Sequence, residues 1–118
     1  MTGNNLEKGL KGEEIACKYL IDNGYRILER NYRLKTGEID IIAFKENILI
    51  FVEVKARSSN YYGYPYEAVN RKKQEKIIST AMHYVKLHNI RNTQFRFDVV
   101  EVYLSNGNKV NHYINAFM

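Results

Sequence analysis

Three charged residues in this sequence have the types and the spacing of a metal-dependent hydrolytic site. Asp40 lies in "GEIDIIAF", and Glu53 and Lys55 lie in "FVEVKAR", with twelve residues between the aspartate and the glutamate. Hard divalent cations such as Mg²⁺ or Mn²⁺ take carboxylate oxygens as ligands, activate water and stabilise charge on a phosphoryl group. A lysine beside them could hold the attacking water or neutralise the phosphate in the transition state.

The two segments must pair as a hairpin if these side chains are to meet. Both are rich in Ile, Val and Phe, which is typical of buried strands, and residues 46–47 can form a two-residue turn. The resulting register predicts these opposed pairs: Lys45 with Ile48, Ile42 with Phe51, Asp40 with Glu53, and Glu38 with Lys55. Because alternate residues of a strand share a face, the four charges at the open end lie on one face.

The same alternation predicts how the apolar residues of the hairpin divide between its two faces. The face that carries the charges continues as core through Ile42, Phe44, Leu49 and Phe51. The opposite face carries Ile39, Ile41, Ala43, Ile50, Val52 and Val54. A slip of one residue would scatter the charges over both faces, so the register is the test of the site.

A structural role for these charges is the competing interpretation. Cross-strand Glu–Lys pairs are common on exposed sheets and add little stability. Carboxylates at a sheet edge also deter edge-to-edge aggregation. The position of the charges at the end of two apolar strands favours a site.

The rest of the chain predicts the elements that would position this hairpin. Ile15, Ala16, Tyr19 and Leu20 form a helical stripe that ends near Gly24, and "YRILERNYR" reads as a half-exposed strand. "SSNYYGYPYE" is a loop, and a second helix runs from Ala68 to about His88. "QFRFDVVEVYL" and "KVNHYI" are strands joined by the turn "SNGN". This order predicts an α/β fold with a central mixed sheet flanked by helices.

Composition narrows the class of protein. A chain of 118 residues, 45% hydrophobic and 26% charged, predicts one globular domain over residues 1–118. No apolar run approaches the ~20 residues of a membrane span, and the first residues lack the apolar core of a signal peptide. Cys17 is the single cysteine, which excludes an internal disulfide and fits the reducing cytoplasm. The net charge of +5 is compatible with a phosphate-rich partner.

The sequence resembles the YraN family, small bacterial proteins similar in sequence pattern to the archaeal Holliday junction resolvases. The resemblance runs from about Gly9 to Val100. Its segments are "KGEEIACKYLIDNGYRILERNYR", "GEIDIIAF", "FVEVKAR", "YGYPYEAVNRKKQ" and "FRFDVV". It implies the restriction-endonuclease-like fold, with its D…E-x-K site.

The resemblance also implies roles for individual residues. Asp40 and Glu53 would bind the metal, Lys55 would be the catalytic lysine, and Glu13 on the first helix would complete the acidic cluster. Glu14 is the adjacent alternative to Glu13, but it points about 100° away around the helix. Glu38 belongs to the family's "GEID" motif, although its only role could be an ion pair with Lys55.

Basic residues after the E-x-K strand are candidates for phosphate contacts: Arg57, Arg71, Lys72 and Lys73. Lys73 and Gln74 match a K-Q pair of the family, or they form a solvated helix face. Four tyrosines of the loop, Tyr61, Tyr62, Tyr64 and Tyr66, could stack on unpaired bases or anchor the loop by packing. Asp98 matches the family without an assigned role. The histidines His83, His88 and His112 lack metal-ligand spacing and are expected at the surface or half-buried.

Together these features predict a Mg²⁺- or Mn²⁺-dependent nuclease that cleaves structured DNA, branched DNA included. The alternative is a DNA- or RNA-binding module of the same fold with little catalysis, and a third interpretation is a structural partner protein. A lysine beside two carboxylates favours the enzyme, since a pure binder has no need of it. The related resolvases work as dimers, so the resemblance also implies a homodimer.

Overall fold

The computed structural model describes residues 2–57, 69–105 and 107–118, with side chains from Leu6 onward. In chain order the elements are α1 (Thr2–Asp22), β1 (Arg26–Leu34), β2 (Gly37–Lys45), β3 (Ile48–Arg57), α2 (Arg71–Leu87), β4 (Gln94–Tyr103) and β5 (Lys109–Tyr113). The strands form one sheet in the order β1-β2-β3-β4-β5, in which only the β3–β4 pair is parallel. The predicted α/β fold, a mixed sheet flanked by helices, is confirmed.

The first helix packs closely against the sheet because of a small residue. Ala16, Cys17 and Leu20 are buried against one face of the sheet. At Gly12 the helix approaches β3 so closely that an added Cβ would lie 2.8 Å from the Cβ of Ala56. The helix ends at Asp22, two residues before the predicted terminator Gly24, whose φ of 88° is in the left-handed region that glycine tolerates.

The second helix covers the other face of the sheet. Its predicted start at Ala68 lies outside the described residues, and the observed helix begins at Arg71 after a capping residue, Asn70. The Asn70 side chain accepts a hydrogen bond of 2.9 Å from the backbone N–H of Lys73, which satisfies one free donor of the first turn. On the side that faces the sheet, Ile77 and Ala81 pack against β2 and β3. No helix in the described ranges is long and apolar enough to cross a membrane.

The hairpin of β2 and β3 has the predicted register along its apolar part. Paired residues run from Lys45 and Ile48 to Ile41 and Val52. The turn is at Glu46 and Asn47, whose φ angles of 50° and 63° are both left-handed, as a type I′ turn requires. On the α2 side the hairpin buries Ile42, Leu49 and Phe51, and on the α1 side it buries Ile41, Ala43, Ile50 and Val52.

One apolar residue lies on the opposite face to the one predicted. Ile39 packs into the cluster on the α2 side, whereas Ile41 belongs to the cluster on the α1 side, so strict alternation breaks between them. The break coincides with Asp40, where the regular pairing of β2 with β3 has stopped. Its carboxylate Oδ2, rather than a backbone carbonyl, accepts the hydrogen bond of 2.8 Å from the N–H of Val54. The break places the Asp40 side chain between the strands.

Candidate active site

The two predicted metal ligands meet at the open end of the hairpin. Asp40 and Glu53 share a hydrogen bond, and Glu53 is only 5% exposed. Burial, reinforced by the charge of Glu53, raises the pKa of Asp40 to about 8. Two carboxyl groups this close must hold either a proton or a cation between them.

A lysine of α2 already supplies positive charge at this pair. The Lys73 ammonium contacts Glu53 Oε2 in an ion pair. Burial by itself lowers the pKa of Lys73, but the hydrogen bond with Glu53 and the charges of Glu53 and Asp40 raise it above its ordinary value. Lys73 was predicted to contact nucleic acid, and in the structure its ammonium lies at the acidic site.

Lys55, the predicted catalytic lysine, lies two residues beyond Glu53 on β3 and is half-buried. Burial lowers the pKa of Lys55, and the charge of Lys73 lowers it further, while Glu53 and Asp40 oppose the change. Lys55 therefore lies within electrostatic reach of both carboxylates and of the other lysine. The hairpin and α2 together surround the acidic pair with two ammonium groups.

Glu13 faces this pair from α1 without joining it. Burial raises the pKa of Glu13, a hydrogen bond with Asn31 opposes this, and the charge of Glu53 is among the smaller contributions that raise it. Glu13 Oε1 is buried and has no hydrogen-bond partner within the described part of the chain. Glu14 is exposed and lines a different cavity, so Glu13 is the acid of α1 that points to the site. Within the same ranges, no three His, Cys, Asp or Glu side chains are grouped closely enough to hold a metal ion.

Glu38 does not pair with Lys55 as the extended register predicted. It forms a cross-strand ion pair of 3.4 Å with Arg33 of β1, and both side chains are exposed to solvent. The prediction was wrong because the regular pairing of β2 with β3 ends before Glu38, whereas its pairing with β1 continues.

The predicted phosphate-binding residues divide into two groups. Arg57 donates to buried Glu101 from Nε at 3.3 Å and from Nη2 at 3.2 Å, and the Gln74 amide donates to the Val69 carbonyl at 2.8 Å. Both side chains therefore have structural partners. Arg71 and Lys72 are exposed at the start of α2. The loop tyrosines Tyr61, Tyr62, Tyr64 and Tyr66 lie outside the described residues.

A cavity beside the acidic pair contains a basic residue that sequence reasoning missed. Its volume is about 410 Å³, and its lining includes Gly37, Glu38, Asn70, Lys72, Lys73 and Lys76. Lys76 follows Lys72 by four residues, which places both on one side of a helix. That spacing was a signal available in the sequence.

Asp98 is the centre of a buried polar network on the α1 side of the sheet. It accepts two hydrogen bonds of 2.9 Å from Arg96, one of 2.9 Å from the backbone of Asn115, and lies 2.7 Å from His112 Nε2. Burial alone raises the pKa of Asp98, but the bonds with His112 and Arg96 lower it below its ordinary value. The side chain of His112 is only 6% exposed and also contacts the Tyr19 hydroxyl. This network joins α1, β4 and β5.

Comparisons with known proteins agree on a family. The model of the uncharacterised protein family UPF0102 matches residues 12–102. A UPF0102 protein of Clostridioides difficile (strain 630) is 55% identical over 114 residues, covering 97% of this chain and 99% of the relative. One of Alkaliphilus metalliredigens (strain QYMF) is 50% identical over 109 residues, covering 92% and 96%.

Among solved structures, Pyrococcus furiosus SfsA in complex with Ca²⁺ matches with a TM-score of 0.36 and 16% identity. The match covers 93% of this chain but only 63% of the SfsA chain. A likeness this distant contributes nothing to the functional argument.

Proposed function

Since this chain belongs to the UPF0102 family, the YraN family of the sequence resemblance, and that family is described as uncharacterised, we propose a function from its own site. The protein is a divalent-metal-dependent nuclease that hydrolyses phosphodiester bonds of structured DNA, branched DNA included. The observation that carries this proposal is the meeting of Asp40 and Glu53 at the end of the hairpin, with Lys55 beside them.

The donor set fits a hard divalent cation such as Mg²⁺ or Mn²⁺. Asp40 and Glu53 offer oxygen ligands, and a doubly charged ion would remove the repulsion that contributes to the raised pKa of Asp40. Mg²⁺ usually takes one or two protein carboxylates and completes its shell with water and phosphate oxygens, so two are sufficient. Glu13, with its unpartnered buried oxygen, is the candidate for a further contact through water.

The chain's own residues have separable roles in this mechanism. When bound, the metal would lower the pKa of a water molecule and stabilise negative charge on the phosphate. Asp40 is held in place by the Val54 N–H, so its carboxylate keeps a fixed direction. Lys55 orients the attacking water or neutralises charge that develops on the phosphate, and its half-burial strengthens either interaction.

The test is a cleavage assay of the purified protein on linear, nicked, flapped and four-way DNA with Mg²⁺ and with Mn²⁺. We expect cleavage of at least one structured substrate. Lys55→Met should lower the single-turnover rate by about 10²-fold or more while Mn²⁺ still binds, because the lysine acts mainly in the transition state. Asp40→Asn should weaken both cleavage and Mn²⁺ binding, since an amide is a poorer ligand for a hard cation.

A matched control is Lys86→Met, which removes one exposed positive charge from the last turn of α2. It should cleave like the wild type. Wild-type protein that cuts none of the four substrates with either metal would refute the nuclease, as would Lys55→Met protein that cuts at the wild-type rate.

A nucleic-acid-binding module is the second candidate function. Two observations favour it. The Lys73 ammonium already forms an ion pair with Glu53, and the described residues bring two acidic side chains together rather than the three of a metal-binding group. This candidate predicts DNA binding without cleavage, with a salt slope near −0.9 for each phosphate neutralised on duplex DNA. An affinity that does not change with salt would contradict both functions.

Location and assembly are further parts of the proposal. Cys17 is a free, buried thiol, which suits the reducing cytoplasm. A homodimer would allow two strands of a branched DNA to be cut symmetrically. Sedimentation equilibrium of the free protein and of its DNA complex would measure the number of copies, and a single copy on cleaved four-way DNA would exclude the dimer.

A further inference from the structure

We propose that Lys73 is an internal substitute for the divalent cation on Glu53, and that metal binding releases its ammonium into the adjoining cavity to bind a nucleic-acid phosphate. This inference rests on the proposed metal-dependent function. It goes further in giving one residue two alternating partners. Metal binding and phosphate binding would then strengthen each other.

The first support is the place that Lys73 now occupies. Its ammonium contacts Oε2 of Glu53, a carboxylate whose side chain is 6% exposed. A buried carboxylate stays ionised only when a cation neutralises it. A divalent ion bound by Asp40 and Glu53 would supply that charge and would repel the ammonium from the same oxygen. The two cations therefore compete for Glu53.

The second support is the cavity next to Lys73, which could receive the displaced ammonium. The Lys73 side chain already lines the cavity of about 410 Å³ and is 43% exposed, so rotation of its flexible stem is enough to move it. Lys72 and Lys76 line the same cavity, and the acid among its described lining residues, Glu38, pairs with Arg33. A phosphate is the ligand that such a group of ammonium groups attracts.

The third support is the end of the helix from which these lysines project. The first turn of α2 contains no acidic residue, and its backbone N–H groups are oriented toward the N-terminus. The positive end of the helix dipole therefore adds to the lysine charges. By linkage, a phosphate that draws Lys73 into the cavity also frees Glu53 for the metal.

The decisive measurement is Mn²⁺ binding to the full chain by calorimetry, without DNA. Lys73→Met removes the competing ammonium, so Mn²⁺ should bind about 10-fold more tightly than to the wild type, or about 1.4 kcal/mol. Lys72→Met removes the same charge from the neighbouring residue and should stay within about twofold of the wild type. Lys73→Arg restores a cation and should return the affinity toward the wild-type value.

A second measurement tests whether metal binding strengthens phosphate binding. Binding of a labelled 20-base-pair duplex is compared in EDTA and in Ca²⁺. Ca²⁺ should tighten binding at least about fivefold more in the wild type than in Lys73→Met, because the variant has no ammonium to release. Lys72→Met should weaken duplex binding equally in both conditions, which leaves its response to Ca²⁺ unchanged.

The outcomes separate this inference from the proposed function. If Mn²⁺ binds Lys73→Met no more tightly than the wild type, the proposal that Lys73 takes the place of the cation is wrong, and the proposed nuclease activity is unaffected. Mn²⁺ that binds none of the proteins overturns both. If Lys73→Met does not fold, Lys73→Gln takes its place, since its amide can still donate to Glu53 without a charge; tighter Mn²⁺ binding supports the inference, and unchanged binding overturns it.

Discussion

Replacing Arg57 with Met separates a structural role of this residue from the phosphate contact that the sequence predicted. Glu101 is 1% exposed and accepts hydrogen bonds from Arg57 and, at 3.0 Å, from the Tyr103 hydroxyl. Met keeps most of the apolar stem but removes the guanidinium, so among the described residues the buried carboxylate keeps only its bond to Tyr103. Breaking one side of a buried ion pair typically costs 3–5 kcal/mol.

The geometry of the pair sets the expected size of the effect. The Arg57 side chain is 21% exposed, so water can partly replace it, and we expect a loss of about 3 kcal/mol, the lower end of that range. For a domain of this length, that loss lowers the melting temperature by roughly 12 °C. Urea titrations and thermal melts followed by circular dichroism would measure both quantities in EDTA.

Two further variants make this prediction specific. Arg71→Met removes an arginine whose side chain is 93% exposed, and it should change the free energy of unfolding by less than about 0.5 kcal/mol. Adding Glu101→Gln to Arg57→Met removes the unpaired charge and should recover part of the loss. An Arg57→Met protein as stable as the wild type but deficient in DNA binding would refute the structural interpretation.

Three other predictions test the fold and its titrating groups. The folded-state pKa of Asp40, about 8, lies above its ordinary 3.8, so the metal-free folded chain holds a proton that the unfolded chain has released. Its free energy of unfolding should therefore fall by roughly 2 kcal/mol or more between pH 5 and pH 8.5, and Asp40→Asn should lack this loss. Urea titrations at several pH values that give both proteins the same dependence of unfolding free energy on pH would contradict this prediction. Gly12→Ala should cost about 1–3 kcal/mol in thermal melts because its Cβ would lie 2.8 Å from that of Ala56, whereas Gly9→Ala, with nothing within 4 Å, should not destabilise. The pKa of Asp98 is lowered, so the stabilising effect of this carboxylate is present above about pH 4 and is lost as pH falls through its folded-state pKa. Asp98→Asn should be less stable than the wild type near neutral pH and should lose less stability on acidification, as measured by circular dichroism.

The register of the hairpin could be predicted from sequence because both of its causes are local. A left-handed turn at Glu46 and Asn47 and a period of two in the apolar residues together set the pairing as far as Ile41 and Val52. Beyond that point the prediction failed for Ile39. There a side-chain oxygen of Asp40 replaces a backbone acceptor, and a pattern of residue types contains no information about such a replacement.

The partners of the charged side chains could not be predicted in the same way. Lys73 contacts Glu53, twenty residues earlier in the chain, and Arg57 contacts Glu101, forty-four residues later. Ion pairs of this kind depend on how α2 and β4 lie on the sheet, whereas the spacing of basic residues indicates only that they are near one another in sequence. Their proximity in the sequence after the E-x-K strand therefore placed Arg57 and Arg71 in one predicted group. In the structure Arg57 is paired with the buried Glu101, whereas Arg71 is exposed.

The buried acids of this chain differ in a way that bears on function. Asp98 and Glu101 are fully enclosed, and each has its partners: an arginine, and a histidine or a tyrosine hydroxyl. The pKa of Asp98 is lowered as a result, which is what a stabilising buried acid requires. Asp40 is the opposite case, because it lies beside Glu53 with its pKa raised, and Lys73 is the one cation among the described residues that forms an ion pair with either acid. Lys73 offsets one of these two carboxylates, and in the proposed function a divalent cation from outside the chain supplies the remaining positive charge.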